Sequence, residues 1–307
     1  MESLFNMKKR IGIILVNYNG SADTLDCIKS LNKMSYNDFQ IIVVDNNSTD
    51  ESLKLLSEKK EELKYELIAL NENRGFSAGN NVGICKAIQI GVEYVLLLNN
   101  DTIVDPYFLE RLMSNELVPF DVCVTTGTIY YTSNKNRIWY AAGQFYLNFA
   151  KVSQIGRNNK NGKLPQKPIK VSFASGCCMC IPISVIQSVG LLDESYFLYE
   201  EDVDYCYRLM RENISIYYVP DAVIYHKVSS STTKTDKMSS VTQYYMVRNK
   251  YNFINRYYKG VRRIIPCIYS LLMYSYYCLR YGMNPKYVIW GIADSLNGKM
   301  FKTERKL

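Results

Sequence analysis

Hydrophobic runs of four to six residues alternate with amphipathic stretches along the first hundred residues of the chain. The runs are rich in aliphatic and β-branched residues and predict buried strands at residues 11–16, 41–44, 67–70 and 94–98. Apolar residues at helical spacing predict the intervening helices at residues 22–31, around 53–56 and at 77–90. Ser48 or Asp50 is suited to cap the second helix. This alternation is typical of an α/β fold with a mostly parallel central sheet flanked by helices.

The pattern changes after about residue 121. Short strands separated by Gly, Asn and Lys predict a mixed β region up to residue 181, with a polar, Lys-rich loop at 157–170. The elements predicted beyond it are a helix at 202–211, a strand at 216–219 and a long Tyr-rich helix at 239–258. We therefore expect an α/β domain at residues 1–238 and a helical, basic, Tyr-rich extension at residues 239–307.

Polar residues follow each of the first four predicted strands. They are Asn17 and Asn19, then Asp45 with Asn46 and Asn47, then Asn71, Asn73 and Arg74, then Asn99 and Asp101. Asn and Asp are common in turns, so any one cluster has an ordinary structural explanation. Ligands of open parallel sheets bind beyond the carboxyl ends of the strands, and four clusters in these positions favour a single ligand crevice.

The amino-acid composition excludes several classes of catalytic mechanism. The 307-residue chain contains one histidine, which excludes mechanisms that need two, including the H-E-x-x-H zinc peptidases. Nine cysteines, an odd number, and an N-terminus without an apolar signal core predict a reducing, cytoplasmic setting. Cys177, Cys178 and Cys180 lie on an apolar run and are expected to be buried thiols rather than metal ligands.

Two groups of residues carry candidate chemistry. Asp101 follows the fourth predicted strand, where a carboxylate can hold a cation against a diphosphate. Residues 200–204 contain four acids beside a predicted helix start, which the helix dipole alone would favour as a solvated helix end. The apolar segment before them, residues 196–199, instead favours a carboxylate with a raised pKa that serves as a general base.

The order and spacing of five motifs resemble those of the family 2 glycosyltransferases of the GT-A fold, and most closely the branch with bacterial rhamnosyltransferases. The motifs are residues 43–50 (VVDNNSTD), 71–81 (NENRGFSAGNN), 98–101 (LNND), 199–204 (YEEDVD) and His226. The resemblance covers about residues 10 to 260. It implies a GT-A catalytic domain in residues 1–238 and a nucleoside-diphosphate sugar as donor.

The resemblance also assigns residues to the donor. Asp45 would bind the nucleotide base, with Asn17, Asn19 and Asn47 around the same pocket. Arg74 and the segment from Gly75 to Asn81, including Asn80, would lie along the ribose and diphosphate, and Asn100 would join Asp101 in the donor site. Asp101 and His226 match the family's ligands for Mg²⁺ or Mn²⁺. Asn99 stands where the first acid of the family's Asp-x-Asp metal motif is usual, and it retains an oxygen ligand.

The catalytic assignment follows from the same resemblance. Asp202 matches the general base, and Glu201 and Asp204 would orient it or the acceptor. A base on one side of the anomeric carbon and a metal-bound leaving group on the other imply a single displacement with inversion. The expected reaction transfers rhamnose, or another hexose, from a dTDP- or UDP-sugar to a glycan or lipid-linked glycan in cell-surface polysaccharide synthesis. A sugar nucleotidyltransferase and an inactive glycan-binding scaffold are the alternatives.

The C-terminal extension predicts a partner surface. Residues 226–307 contain 15 basic and 3 acidic residues, so their net charge is +12. Residues 264–279 are uncharged and rich in Tyr, but are shorter than the roughly 20 residues that cross a bilayer. We expect a helix lying on anionic lipid at the inner face of the cell membrane. A packed helix or a contact between copies of the chain is the alternative, and no motif supports nucleic-acid binding.

Overall fold

The computed structural model describes residues 10–155, 164–228 and 238–307. Residues 1–9 and the first half of the predicted Lys-rich loop, residues 157–163, lie outside the described residues. The first four strands are β1 (Ile11–Asn17), β2 (Phe39–Asp45), β3 (Tyr65–Ala69) and β4 (Tyr94–Leu98). They pair in parallel in the spatial order β4, β1, β2, β3. The helices between them are α1 (Ser21–Leu31), α2 (Ser52–Leu63) and α3 (Gly75–Gln89).

The following strands extend this sheet on the other side of β4. They are β5 (Thr102–Val104), β6 (Val124–Tyr131), β7 (Asn134–Tyr140), β10 (Ile169–Val171), β11 (Cys178–Pro182) and β12 (Ile216–His226), while β8 (Gly143–Tyr146) and β9 (Lys151–Gln154) form a separate hairpin. The helices in this part are α4 (Phe108–Met113), α5 (Ile183–Val189) and α6 (Glu201–Arg211). The predicted α/β architecture with a mixed, mostly parallel central sheet is confirmed.

Two boundaries differ from the sequence prediction for physical reasons. Helix α3 begins at Gly75, two residues before Ser77, because a left-handed glycine with φ +89° allows the chain to turn directly into the helix. Strand β12 continues to His226 instead of ending at Val219. A register shift between Val219 and Val223 accommodates Pro220, which lacks the N–H needed for a regular ladder.

Only one of the two residues predicted to cap the second helix hydrogen-bonds to its first turn, and the N-cap position itself is Glu51. Asp50 Oδ1 accepts the backbone N–H of Ser52 over 2.9 Å, at the start of α2. Ser48 does not cap the helix, since its hydroxyl donates to Asp45 Oδ1 over 2.6 Å. The predicted role of Ser48 is therefore wrong, because the carboxylate at the end of β2 is a nearer acceptor.

Strand direction brings the candidate residues to one edge of the sheet. Strands β1, β2, β4, β6 and β12 run in the same direction, since β11 is antiparallel to both β4 and β6 while β6 and β12 are parallel. Their carboxyl ends carry Asn17, Asp45, Asn99 and His226. The amino end of the antiparallel strand β11 brings Gly176 to the same edge. The crevice predicted from four strand ends therefore has a geometric basis in the sheet.

Three helices follow the sheet, namely α7 (Ser240–Tyr257), α8 (Ile264–Tyr281) and α9 (Pro285–Leu296). Helix α7 is buried along most of its length and packs against α9. Asn249 Nδ2 donates to the carbonyls of Leu198 and Tyr199 over 2.8 and 3.0 Å, which attaches α7 to the segment that leads into α6. Among the described residues, no helix has both the length and the apolarity needed to cross a bilayer.

The three cysteines in and directly before β11 are buried thiols, as predicted. Cys177, Cys178 and Cys180 are each at most 3% exposed, and every cysteine in the described part of the chain is free. Burial raises the pKa of the Cys178 thiol to about 12, so it stays protonated at neutral pH. These residues contribute to the core.

Candidate active site

A ring of hydrogen bonds joins the ends of β1 and β2. Asp45 is fully buried, and its Oδ1 accepts Asn17 Nδ2 over 2.7 Å while its Oδ2 accepts the backbone N–H of Ser48 over 2.9 Å. Asn17 Oδ1 in turn accepts the hydroxyl of Thr24 over 2.9 Å. Asn100 Nδ2 donates to the same hydroxyl over 2.8 Å, which connects the ring to the end of β4. Asp45, Asn17 and Asn100 are thus brought together as one rigid unit.

The outer rim of this unit is exposed. Asn19 has φ +54° and exchanges hydrogen bonds with Thr49, accepting its N–H over 2.8 Å and donating to its hydroxyl over 3.1 Å. Asn47, with φ +60°, is also exposed. Tyr18, which stands between Asn17 and Asn19 in the chain, is 47% exposed. The rim therefore offers amide groups and one aromatic face to solvent.

The turn into α3 is held tightly from two sides. Asn46 accepts the N–H of Arg74 over 3.1 Å and donates to the carbonyl of Gly75 over 3.0 Å. On the other side, the N–H of Phe76 donates to the carbonyl of Phe197 over 2.9 Å. A Cβ at position 75 would lie 2.2 Å from that carbonyl oxygen. The glycine is therefore required both by its positive φ and by the close approach of Phe197.

Two predicted donor residues in this region make contacts within the protein. The guanidinium of Arg74 is paired with Glu194 at 2.7 Å, and Glu194 also accepts Asn81 Nδ2 over 3.0 Å. Asn80 is buried and donates to the carbonyl of Phe76 within its own helix. Arg74 remains 42% exposed at its side chain, so it can still turn toward a ligand, whereas Asn80 is held in the helix.

Asp101 and His226 meet at the sheet edge. His226 Nε2 lies 2.9 Å from Asp101 Oδ1, and both residues are buried. The ring of Trp139 contacts the imidazole edge-on, with centroids 4.6 Å apart, and restricts its orientation. Asn99 is half-buried at the end of β4, and its backbone N–H donates to the carbonyl of Cys177. Residues 125 positions apart in the chain are thus brought into direct contact by β4 and β12.

The donor set at Asp101 and His226 fits a divalent cation that also binds a substrate. Within the described ranges, no group of three or more His, Cys, Asp or Glu side chains is placed to hold a metal. Mg²⁺ in phosphate-handling sites commonly takes one or two protein ligands and completes its shell with water and phosphate oxygens. His226 Nδ1 is buried without a hydrogen-bond partner in the described part of the structure, so the imidazole is held by its Nε2 contact with Asp101 and by the ring of Trp139.

Asp202 lies on the opposite side of the loop that precedes β11. Its Oδ2 accepts the N–H of Gly176 over 3.1 Å, and its Oδ1 accepts the N–H of Val203 over 2.9 Å. The carbonyl of Cys177, the residue after Gly176, accepts the N–H of Asn99 over 3.0 Å. Burial raises the pKa of Asp202 to about 6, although the hydrogen bond from Gly176 acts in the opposite direction. A carboxylate with that pKa is suited to accept a proton near neutral pH.

Glu201 directly follows an unusual backbone turn at Tyr199 and Glu200. Tyr199 and Glu200 both have positive φ, +69° and +71°, which is costly for residues with side chains. Lys250 Nζ, on the buried face of α7, holds Glu200 Oε2 at 3.2 Å. Glu201 is buried with one carboxylate oxygen unpartnered in the described structure, and burial together with Asp202 raises its pKa well above the usual range. The turn therefore presents adjacent carboxyl groups, with burial favouring the protonated form of Glu201.

Asp204 points away from these two acids into the packed interior. It is fully buried, its Oδ2 accepts Arg208 Nε over 2.8 Å and its Oδ1 accepts the Tyr257 hydroxyl over 2.7 Å. Arg256 lies 3.5 Å from the same carboxylate. These contacts fasten α6 to α7, two residues along the chain from Asp202, the residue predicted as the base.

Sequence reasoning missed the contribution of α7 to this site. Asn249 and Lys250 hold the segment before α6, but on the sequence they stand inside a Tyr-rich helix with no motif beside them. Three consecutive polar residues, Arg248 to Lys250, in an otherwise aromatic stretch are the one signal that could have indicated a buried functional face.

Comparison with known proteins identifies similar sequences. The family model described as Glycosyl transferase family 2 matches residues 12–190 of the chain. The chain is 29% identical to the low-salt glycan biosynthesis hexosyltransferase Agl10 of Haloferax volcanii, over 95% of this chain and 92% of that protein. It is 23% identical to the dTDP-rhamnosyl transferase RfbF of Shigella flexneri, over 81% of each chain.

Solved structures share the fold. The mannosyltransferase PcManGT from Pyrobaculum calidifontis, in complex with GDP-Man and Mn²⁺, superposes with a TM-score of 0.57 and 14% identity, over 95% of this chain and 75% of that one. GalNAc-T7 with UDP, GalNAc and Mn²⁺ gives a TM-score of 0.61 and 14% identity, over 91% of this chain and 59% of that one. At this identity the likeness concerns the fold alone, and it confirms the predicted GT-A fold.

Proposed function

The chain belongs to glycosyl transferase family 2 and is a glycosyltransferase, and from that premise we propose that it moves rhamnose or another hexose, with inversion, from a nucleoside-diphosphate sugar to a hydroxyl of a glycan or lipid-linked glycan. The two similar proteins named above, a hexosyltransferase and a dTDP-rhamnosyl transferase, support this range of sugars. The family match favours sugar transfer over the nucleotidyl transfer considered from the sequence.

The observation that carries the proposal is the position of Asp202. Its half-buried carboxylate, with a pKa of about 6, is joined through the Gly176–Cys177 backbone to the turn that carries Asn99 and Asp101. A base and a leaving-group site that share one rigid loop keep their separation while the substrates bind. This supports Asp202 as the general base that takes the proton of the acceptor hydroxyl. Glu201 and Asp204 orient the base by shaping the start of α6.

The donor would lie along the edge formed by β1, β2 and β4. Asn19, Asn47 and the exposed ring of Tyr18 are suited to contact the nucleotide base, and the buried Asp45 fixes the loop that presents them. Arg74 is suited to the diphosphate, because its guanidinium is exposed enough to leave Glu194 for a phosphate. A dTDP- or UDP-sugar is the expected donor.

Asp101, His226 and Asn99 would hold Mg²⁺ or Mn²⁺ in this proposal. A divalent cation bound there supplies charge stabilisation to the leaving nucleoside diphosphate. The Mn²⁺ in the two solved structures named above supports the same choice of cofactor, although those likenesses concern the fold. The edge-on contact of Trp139 supports the orientation of His226 toward Asp101.

The C-terminal helix α8 supports an association with the inner face of the cell membrane. Its exposed apolar residues recur at helical spacing along one face, namely Ile264, Ile265, Ile268, Leu271, Leu272, Tyr276 and Leu279. Arg262, Arg263 and Arg280 flank this face, as expected for a helix lying on anionic lipid. Such a surface suits an acceptor carried by a lipid.

A donor panel tests the proposal. The purified chain is incubated with UDP-glucose, UDP-galactose, GDP-mannose and dTDP-rhamnose in the presence of Mn²⁺ or EDTA, and nucleoside diphosphate release is measured with and without a glycan acceptor. We expect acceptor-stimulated release from one donor in Mn²⁺ alone, and a product whose anomeric configuration, read by NMR, is opposite to that of the donor. Equal turnover in EDTA, or retention of configuration, would contradict the proposed mechanism.

A further inference from the structure

A cationic cavity lies between α7 and the segment that follows α9. It has a volume of about 300 Å³, within the range of small-molecule pockets. Four cationic residues and one acid line it: Arg248, Lys299, Lys302, Arg305 and Glu304. The chain after α9 is attached firmly here, because Phe301 N–H donates to the carbonyl of Ser195 over 2.8 Å. The cavity is therefore part of the packed structure.

Arg248 is the unusual residue of this cavity. It is fully buried, and within the described structure its Nη1 and Nη2 have no hydrogen-bond partner. Its Nε donates to Asn249, and its guanidinium lies over the rings of Tyr244 and Tyr245 at 5.5 and 4.7 Å from their centroids. Ring contacts compensate only part of the cost of burying a cation. The arrangement leaves two charged donors available to an anion.

The acids nearby do not neutralise this charge. Asp294 pairs with Arg305 at 2.6 Å and with Lys299 at 3.2 Å, and these contacts lower the pKa of Asp294, so it is ionised and already occupied. Glu304 is exposed on the cavity wall. Four cations against these two carboxylates leave a net positive cavity with a buried guanidinium at its floor.

We propose that this cavity is a binding site for a phosphate or diphosphate group, with Arg248 as the buried anchor and Lys302 as the exposed one. Guanidinium nitrogens match phosphate oxygens in geometry and charge, and a buried site strengthens such hydrogen bonds. The lining residues of this cavity do not include Asp101 or His226, so we expect an anion to bind there without a divalent cation. This site goes beyond the proposed transfer reaction and does not depend on which sugar is moved.

The cavity adjoins the active-site segment. Lys302 Nζ lies 5.9 Å from the ring centroid of Phe197, whose carbonyl accepts the N–H of Phe76 at the start of α3. The ring of Tyr245, over which Arg248 lies, also contacts the ring of Phe197, with the two centroids 5.1 Å apart. The phosphate group has two chemical sources to be distinguished, namely the nucleoside diphosphate and a phosphate carried by the acceptor.

Binding of inorganic pyrophosphate to the full chain in EDTA tests the site, with calorimetry and thermal shift as readouts. We expect wild-type binding at millimolar concentrations or below. Arg248→Met should weaken binding about ten-fold or more, as expected for the loss of charge-assisted hydrogen bonds. Lys302→Ala should weaken it about three-fold, and Lys33→Ala, which removes an exposed charge elsewhere, should leave it unchanged.

The apparent melting temperature separates a binding role of Arg248 from a structural one. Because Arg248→Met removes a buried cation whose cost is only partly compensated, its Tm in phosphate-free buffer should equal or exceed that of wild type. Lys302 is exposed, so Lys302→Ala provides a folded variant in any case. The proposal is overturned by the absence of wild-type pyrophosphate binding, or by binding that survives both substitutions, whether or not Tm falls.

Competition distinguishes the two sources. UDP and dTDP are titrated in EDTA against wild type and Arg248→Met. An Arg248-dependent response to either nucleotide assigns the site to the donor, whereas pyrophosphate binding that saturating nucleotide leaves intact assigns it to a phosphorylated acceptor. These readouts measure binding and the donor panel measures sugar transfer. A chain that fails to transfer sugar can therefore still be shown to bind pyrophosphate at this cavity.

Discussion

The backbone N–H of Gly176 donates a hydrogen bond to Asp202 Oδ2 over 3.1 Å, which fixes the carboxylate at the start of α6 against the loop before β11. That loop also contacts the end of β4, through Cys177 and Asn99. The proposed base and the proposed metal ligands therefore belong to one connected framework. The bond stabilises the ionised form of Asp202, while burial opposes it and gives a pKa of about 6.

The first prediction concerns pH. Asp202 acts as a base in its ionised form, so kcat/KM should fall with a slope of one as pH decreases below about 6 and should be level above that value until another group titrates. A rate profile between pH 5 and pH 8 at saturating Mn²⁺ checks this. A rate that is constant down to pH 5, or rises as the pH falls, would argue against Asp202 as the base.

The second prediction concerns Gly75. Gly75→Ala places a Cβ 2.2 Å from the Phe197 carbonyl at φ +89°, so we expect a loss of about 3 kcal/mol or more in the free energy of unfolding. Gly91 is the matched control, since it has φ +74° but nothing within 4 Å of an added Cβ. Gly91→Ala should cost only about 1 kcal/mol. Urea unfolding of both variants gives the comparison, and equal losses would refute the close-contact explanation.

Much of this account could be reached from the sequence, because local patterns carry it. The strand runs and the polar residues after them give β1 to β4 and the edge at which a ligand binds. The family resemblance places Asp204 beside Asp202 in the catalytic assignment, yet the two carboxylates have different partners, since Asp204 is held by Arg208 and Tyr257. Which acid faces the crevice depends on the packing of α7, which is distant in sequence.

Contacts between residues distant in sequence determine the features that the sequence alone does not predict. The proline at position 220 suggests that a strand ends there, and only the partner strand β6 shows that a register shift carries β12 on to His226. Arg248 likewise resembles any charged residue on a helix. Its burial becomes visible once α7 is packed against α9 and the segment that follows it.

The third prediction concerns the metal ligands. Asp101→Asn and His226→Gln should each raise the Kd for Mn²⁺ about ten-fold or more in the presence of the donor, because each removes one of only two charged or imidazole ligands. Asp105→Asn, which alters an acid of the same segment that pairs with Arg111, serves as control. Mn²⁺ titrations followed by thermal shift measure the effect. Unchanged Mn²⁺ affinity in both site variants would exclude this pair as the metal site.

The fourth prediction concerns α8. Replacing Ile268 and Leu272, which are 53% and 65% exposed, by Glu should reduce cosedimentation with anionic phosphatidylglycerol vesicles about ten-fold, because both apolar contact and charge attraction are lost. Leu55→Glu, at an exposed position on α2, is the control. Neutral phosphatidylcholine vesicles should bind the wild-type chain weakly. Wild-type binding that is equal on both vesicles and insensitive to the double substitution would contradict the proposed membrane face.

The most direct test of the central claim is the single-turnover rate of Asp202→Asn, compared with donor binding by the same variant. We predict that transfer to the acceptor slows at least about 100-fold, the loss expected when a general base is removed, while the donor Kd changes by no more than a few-fold. Glu212→Gln, at the exposed end of α6, should behave as wild type. Near-wild-type transfer by a folded Asp202→Asn variant would contradict the assignment of Asp202 as the base.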